Sequence, residues 1–273
     1  MAKRGSTSPS TEPRLRFTII SGLPDYLESA VANGHLRIAQ EQGYIEVKVV
    51  DLRDFAADSY RTIDDEPYGG GSGMILKPEP VRRALEAQGV THEESVGKSG
   101  NDTASEEPWI VLPTPKGSRL EQVDLVRLSS KKHIIFLCSR YKGIDERIRD
   151  WVSEELSLGD YVIGGGEAAA LVMMEGIVRL IEGVVGAKES VETDSFTSGL
   201  LAPPAYTRPE VFNGKRVPDV LLSGHHKEID RWRRKQALAL TLERRPDVLA
   251  KLTLDDEDNK LLSEVIVEQA RGS

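Results

Sequence analysis

Two short apolar runs with abrupt ends constrain this chain more than any other feature. His133–Cys138 reads HIIFLC and stops at Ser139-Arg140-Tyr141-Lys142-Gly143, while Tyr161–Ile163 stops at Gly164-Gly165-Gly166. Apolar runs this short, bounded by turn residues, predict buried strands. The small and polar residues that follow leave backbone groups bare at one edge of a sheet, where open α/β sheets hold ligands. The two turns are therefore expected to form one small-molecule site.

The remaining pattern supports an α/β architecture. Strands are expected over Leu15–Ile20, Ile45–Val50 and Trp109–Leu112, the last running into a rigid Pro113–Gly117 turn. Helical spacing appears from Pro24 to Ala39 with a break at Asn33-Gly34, and again over Pro80–Gln88 and Leu120–Leu128. Residues 144–156 carry Ile144, Ile148, Trp151, Val152 and Leu156 on one side and predict an amphipathic helix, and Glu167–Ile181 predicts a strongly apolar one. A helix over 226–243, broken by Arg244-Arg245-Pro246, and two shorter ones after it predict a small helical C-terminal domain. This divides the chain into a solvated tail over 1–14, an α/β domain over 15–185, a polar linker over 186–203 and the helical domain over 204–273.

Composition narrows the class. No apolar run approaches the roughly 20 residues of a membrane span, and the opening MAKRGSTSPSTEPR has no apolar core, so it is not read as a secretory signal. Cys138, the one cysteine, sits in an apolar run and is expected to be a buried structural thiol; a cytoplasmic location follows. The net charge of −8 argues against non-specific nucleic-acid binding, yet residues 225–245 carry seven Lys/Arg against three Asp/Glu. Residues 86–107, with six acids and one Lys, predict an exposed loop.

Several motifs compete with plainer readings. Gly69, Gly70, Gly71 and Gly73 in YRTIDDEPYGGGSGM permit close approach to a ligand, although by composition the stretch is a flexible surface loop. Gly164–Ala169 matches G-x-G-x-x-A, but it follows several strands instead of opening the first βαβ unit, which disfavours a dinucleotide site. The histidines and the cysteine show no metal-ligand spacing, so no metal site is expected; adjacent His225 and His226 diverge on a helix and suit a cap or a phosphate contact. Met173 and Met174 are expected in the core. Asp194, in a polar linker, is by default a solvated acid, and Arg179, on an apolar helix, calls for an anionic partner.

Taken together, RTIDDEPYGGGSGM, LCSRYKGIDERI, LSLGDYVIGGGEAAA, GVVGAKESVETDSFTSGLL, YTRPEV and VLLSGHHKEIDRWRRKQAL resemble the bacterial tRNA (guanine-N1)-methyltransferase family, TrmD, of the SPOUT superfamily. The resemblance runs from about residue 17 to residue 255, with the segments in the family's order. It implies a parallel sheet with a deep trefoil knot that binds the methyl donor S-adenosylmethionine, and an obligate homodimer with active sites at the subunit interface. It implies methylation of N1 of guanosine at position 37 of tRNA, beside the anticodon.

Carried over residue by residue, the resemblance places the donor in three turns. These are Leu112, Thr114, Pro115 and Gly117; then Ser139, Tyr141 and Gly143; then Ser157, Leu158, Gly159, Tyr161, Ile163, Gly165 and Gly166. It makes Asp194 the general base, acting from the partner chain, and Arg179 the cation that stabilises charge on guanine O6. tRNA contacts are expected at Arg208, Ser223, Gly224, His226, Arg231 and Lys235. The chain departs from the pattern at CSRYKG, where Ser139 and Lys142 replace a glycine and an acid; that acid is linked to magnesium in the family, so magnesium is in question here. Ala187 and Leu112 replace a common histidine and a usual aromatic. Two other readings stay open: a non-catalytic RNA-binding protein using the 225–245 face, and a knotted methyltransferase acting on another RNA position.

Overall fold

The computed structural model describes residues 12–91, 107–185 and 193–272. Most of the expected tail, the acidic insertion at 92–106 and the start of the expected linker lie outside the described residues. The chain divides into two compact units, Met1–Gly186 and Ala187–Ser273.

The first unit opens with β1 (Leu15–Ser21), α1 (Pro24–Val31), α2 (Gly34–Glu41) and β2 (Ile45–Asp51). The helical break at Asn33-Gly34 is present as expected, with Asn33 at the N-cap position of α2. The glycine-rich loop is bracketed by a small antiparallel pair, β3 (Asp64–Asp65) and β4 (Ile75–Leu76). Then come α3 (Pro78–Glu86), β5 (Trp109–Arg119), α4 (Gln122–Ser129), β6 (His133–Leu137), β7 (Glu154–Ser157) and α5 (Gly166–Val178).

Five strands pair in the order β2-β1-β6-β5-β7, all parallel. Parallel neighbours need crossover connections, and the helices between them supply these while covering both faces. On one face Phe17, Ile19, Ile134, Phe136, Trp109 and Val111 pack with Leu27, Leu36 and the α5 residues Met173, Met174 and Ile177. The Phe17 and Phe136 rings stack there at 6.2 Å. On the other face Ile20, Ile135, Leu137, Ile110 and Leu112 meet Val81, Ala84 and Leu85 of α3. Burial on both faces is why β1, β5 and β6 read as short continuous apolar runs. Cys138 is buried, and burial beside Glu167 pushes its thiol well above the usual range.

Three expectations are corrected. First, β5 does not stop at Leu112. It continues to Arg119, and its pairing with β7 shifts register between Pro113 and Ser118, so the predicted rigid turn is an irregularity inside the strand. Proline lacks the ladder N–H, which is why the irregularity falls there. Second, residues 144–156 are not one helix. A 3-10 turn over Glu146–Trp151 buries Ile148 and Trp151 three residues apart, and Glu154–Ser157 then becomes β7. Pairing with β5 satisfies this backbone: Val111 pairs with Glu154, Pro113 with Leu156, and the Ser153 N–H donates to the Ile110 carbonyl at 2.9 Å. Third, Tyr161–Ile163 is not a strand. It lies past the end of the sheet with Tyr161, Val162 and Ile163 exposed.

The second unit contains a small hairpin, β8 (Val211–Phe212) and β9 (Lys215–Arg216), followed by α6 (Asp219–Leu222), α7 (His226–Arg244), α8 (Pro246–Leu249) and α9 (Asp256–Gly272). Pro246 ends α7 and opens α8, because it has no N–H to continue the ladder. The core is Leu200, Ala237, Leu238, Leu249 and Leu261. Leu200 comes from the stretch expected as linker, which packs into this unit. The Leu201 N–H donates to Thr241 Oγ1 and the Ala202 N–H to Ser195 Oγ, both at 2.9 Å.

Candidate active site

The irregularity within β5 over Pro113–Ser118 and the carboxyl ends of β6 and β7 are neighbours in the sheet, so the three segments assigned to the donor come together at one edge. Backbone contacts lock them. The first turn runs against the third strand: a Cβ on Gly117 would fall 2.4 Å from the Glu155 carbonyl carbon, so only glycine allows this approach. The Leu120 N–H donates to the Ser157 carbonyl at 2.8 Å. The second and third turns meet through the Gly166 N–H, which donates to the Ser139 carbonyl at 2.9 Å, and through a bridge between Arg140 and Gly165.

Within this edge Leu112, Ser157 and Gly166 are buried. Thr114, Gly117, Ser139, Gly143, Leu158, Gly159 and Gly165 are half-buried, and Pro115, Tyr141, Tyr161 and Ile163 are exposed. Tyr141 adopts a left-handed backbone with φ of 57°, which costs a non-glycine residue energy and occurs where a turn is held from outside. Here the Lys142 N–H donates to the Met74 carbonyl and the Leu76 N–H to the Gly143 carbonyl, both at 3.0 Å. The glycine-rich loop therefore ends as a strap on the second turn. Lys142 lies over it, since a Cβ on Gly73 would come within 3.0 Å of Lys142 Cγ. A cavity of about 150 Å³ opens beside this turn, lined in part by Arg53, Asp64, Arg140 and Tyr141.

One network was not foreseen. Glu167 is only 2% exposed, accepts a hydrogen bond from Ser21 Oγ at 2.7 Å, and faces Arg140 Nη1 at 3.7 Å. It ties the carboxyl end of β1, the second turn and the start of α5 together. The signal was present in the acid that follows GGG, because a buried carboxylate at a helix N-terminus requires donors.

Arg179 is not the buried cation expected from its neighbours. α5 ends at Val178, and Arg179 is its C-cap with an exposed side chain. Ile177 and Val178 point into the core, and one further residue turns about 100° towards solvent. A cation there also suits the negative end of the helix. Asp194 is half-buried and belongs to the second unit, where it lines a cavity with Tyr206, Arg208 and Trp232.

The residues expected to touch tRNA all lie in the second unit. Ser223 and Gly224, with φ of 72° at Gly224, form the turn into α7; His225 holds its N-cap position, and His226 is exposed. Arg231 pairs with Glu264 at 2.6 Å and Glu257 at 3.3 Å, and Lys235 with Glu268 at 2.7 Å and Glu264 at 3.1 Å. The basic stripe of α7 is thus partly neutralised by α9. Among the described residues no group of three His, Cys, Asp or Glu is placed to hold a metal ion, and no helix is long and apolar enough to cross a membrane.

Residues 15–251 match the family model described as tRNA (Guanine-1)-methyltransferase TrmD. A protein of Dictyoglomus turgidum named tRNA (guanine-N(1)-)-methyltransferase is 42% identical over 251 residues, covering 92% of this chain and 96% of its own length. Proteins of the same name from a Synechococcus strain and from Shouchella clausii are 44% and 43% identical, covering 94% and 86% of this chain and 98% and 91% of their own lengths. This chain therefore belongs to the TrmD family of tRNA (guanine-N1)-methyltransferases.

Proposed function

We propose that this chain methylates N1 of guanosine at position 37 of tRNA, using S-adenosylmethionine, in the cytoplasm, as a homodimer with active sites at the subunit interface. The observation that carries this reading is the meeting of three glycine-bearing segments, at the β5 irregularity and the carboxyl ends of β6 and β7, in a chain of this family. A deep trefoil knot is part of the reading. Its support is the tight crossing at Gly166, where a Cβ would lie 3.0 Å from Cys138 Cα.

The donor supplies an electrophilic methyl group on a sulfonium. The residues fit it: Leu158 and Ile163 offer apolar surface, Tyr141 and Tyr161 offer exposed rings, and the glycines leave backbone donors and acceptors bare. N1 of guanine carries a proton and is a poor nucleophile until that proton leaves. Asp194, from the partner chain, takes it as the N1–methyl bond forms. Negative charge that develops on O6 is met by Arg179, whose side chain lies outside the core at the surface. Arg208, Ser223, Gly224, His226, Arg231 and Lys235 hold the tRNA. Magnesium has no part in this reading, because Lys142 places an ammonium where the family carries an acid.

Incubating the protein with donor and tRNA, then digesting and identifying the nucleosides, tests the proposal. The expected product is 1-methylguanosine, formed only when position 37 is guanosine. A different methylated nucleoside assigns another target, and no methylated product refutes the reading. Asp194→Ala should abolish single-turnover transfer while calorimetry still detects donor binding.

A further inference from the structure

Asp194 opens a turn whose backbone is bonded repeatedly to itself. The Thr197 N–H donates to the Asp194 carbonyl at 3.4 Å, the Gly199 N–H to the Phe196 carbonyl at 3.2 Å, and the Phe196 N–H to the Leu200 carbonyl at 2.7 Å. Two further bonds anchor it. The Ala202 N–H donates to Ser195 Oγ, beside Asp194, and the Leu201 N–H donates to Thr241 Oγ1, both at 2.9 Å. Thr241 lies in α7 with 0% exposure, and its hydroxyl donates to the Ala237 carbonyl at 2.7 Å. Its one proton is therefore committed, which leaves the oxygen as an acceptor for Leu201.

Packing fixes the same turn from behind. Leu200 is buried in the core with Ala237, Leu238, Leu249 and Leu261, and Leu252 packs against that core. Gly199 has φ of 77°, and a Cβ there would overlap the Leu252 side chain, so both the backbone and the space call for glycine. Phe196 also has a left-handed backbone, with φ of 71°. A bulky residue rarely adopts this conformation, and it persists where the surroundings over-determine it. The Arg245 guanidinium lies 5.8 Å from the centre of the Phe196 ring and helps hold it.

We propose that this turn presets the Asp194 carboxylate, so that the second unit carries its general base as a fixed group before donor or RNA arrives. Ser195, Gly199 and Thr241 are then positioning residues. The inference rests on the reading that Asp194 takes the N1 proton. A base on a loose linker must be ordered in every catalytic cycle, and a misplacement of about 1 Å lowers a rate on the order of 100-fold. Anchoring the turn in a folded core completes that ordering in advance.

Hydrogen exchange on the full-length protein, without donor or tRNA, reads the anchors directly. The Phe196 and Leu201 amides should exchange at least about tenfold more slowly than in a free peptide. Exchange at the free-peptide rate overturns the proposal, since the base would then be ordered only on binding. Thr241→Val removes the acceptor of the Leu201 N–H at nearly equal volume. Its single-turnover rate at saturating donor and tRNA should fall about tenfold or more, with Kd for both unaltered. Thr241→Ser, which keeps the hydroxyl, should retain the rate. Gly199→Ala should show the same loss as Thr241→Val, and it decides the matter if Thr241→Val does not fold. Full rates in the folded variants overturn the proposal, as does a loss confined to tRNA affinity, which would assign the turn to RNA binding. A full rate in Asp194→Ala is a separate result, which refutes the general base itself.

Discussion

The backbone of Gly166 lies against Ser139, its N–H donating to the Ser139 carbonyl at 2.9 Å, and a side chain there would press on the neighbouring backbone. A Cβ at Gly166 would sit 3.0 Å from Cys138 Cα and 3.2 Å from the Ser139 nitrogen, both of them backbone atoms held by the sheet. Gly166→Ala should therefore cost about 1–3 kcal/mol of stability. It should weaken donor binding more than a surface substitution of equal cost. Thermal unfolding and calorimetry check both effects, and an unaltered melting temperature would show that the contact is looser than these distances require.

Glu167 is the buried acid that joins Ser21, Arg140 and α5. Removing it leaves the Ser21 hydroxyl without its acceptor and Arg140 without its counter-charge. Glu167→Ala should destabilise the fold by about 3 kcal/mol or more, and Glu167→Gln, which keeps an acceptor for Ser21, by less. Urea unfolding of the two variants gives the order; a reversed order would mean that packing, not hydrogen bonding, sets the cost.

Glu264 ties up Arg231 and Lys235 on α7. Lys235 keeps Glu268 and Arg231 keeps Glu257 as partners, so Glu264→Gln leaves neither cation unpaired and should fold normally. If this face meets phosphates, removing one of the two acids that each cation faces, with Glu257 and Glu268 still in place, should raise tRNA affinity and steepen its decline with added salt. Filter binding across a salt series measures this, and an unchanged slope would place the RNA on another surface.

His133 opens β6 and is buried, with its ring nitrogen Nε2 2.9 Å from Thr18 Oγ1. Burial, helped by Arg16 and Lys48 nearby, lowers its pKa from 6.5 to about 4. The unfolded chain therefore takes up the proton first as pH falls. Stability should be unaffected by this group above pH 6.5, should decline between 6.5 and 4, and should level off below, with a total loss on the order of 3 kcal/mol. Urea midpoints at pH 7 and pH 5 should differ less in His133→Gln than in the unaltered chain; equal differences would assign the acid sensitivity to other groups.

Much of this was legible along the chain because burial leaves a local period. Leu15–Ile20, Ile45–Val50 and His133–Cys138 announce buried strands, and Gly166, after Tyr161–Ile163, marks where two backbones approach closely. Residues 144–156 misled for the same reason: Ile148 and Trp151 fit a helical face, yet pairing with β5 claimed the backbone of Glu154–Ser157. Periodicity records which side chains are buried, not which distant strand takes the hydrogen bonds.

The sequence by itself determined the α/β class, the boundaries of most helices, the glycine positions at the sheet edge and the family's motifs in order. Only the tertiary structure decided that the strands run β2-β1-β6-β5-β7, that Arg179 faces solvent past the end of α5, that Glu167 lies between Ser21 and Arg140, and that Tyr206 leans on Trp232 over an open cavity. These are contacts between residues up to 146 positions apart, as in Ser21 and Glu167. Such pairings follow from how whole elements pack and which groups they leave without water, and no local pattern encodes them.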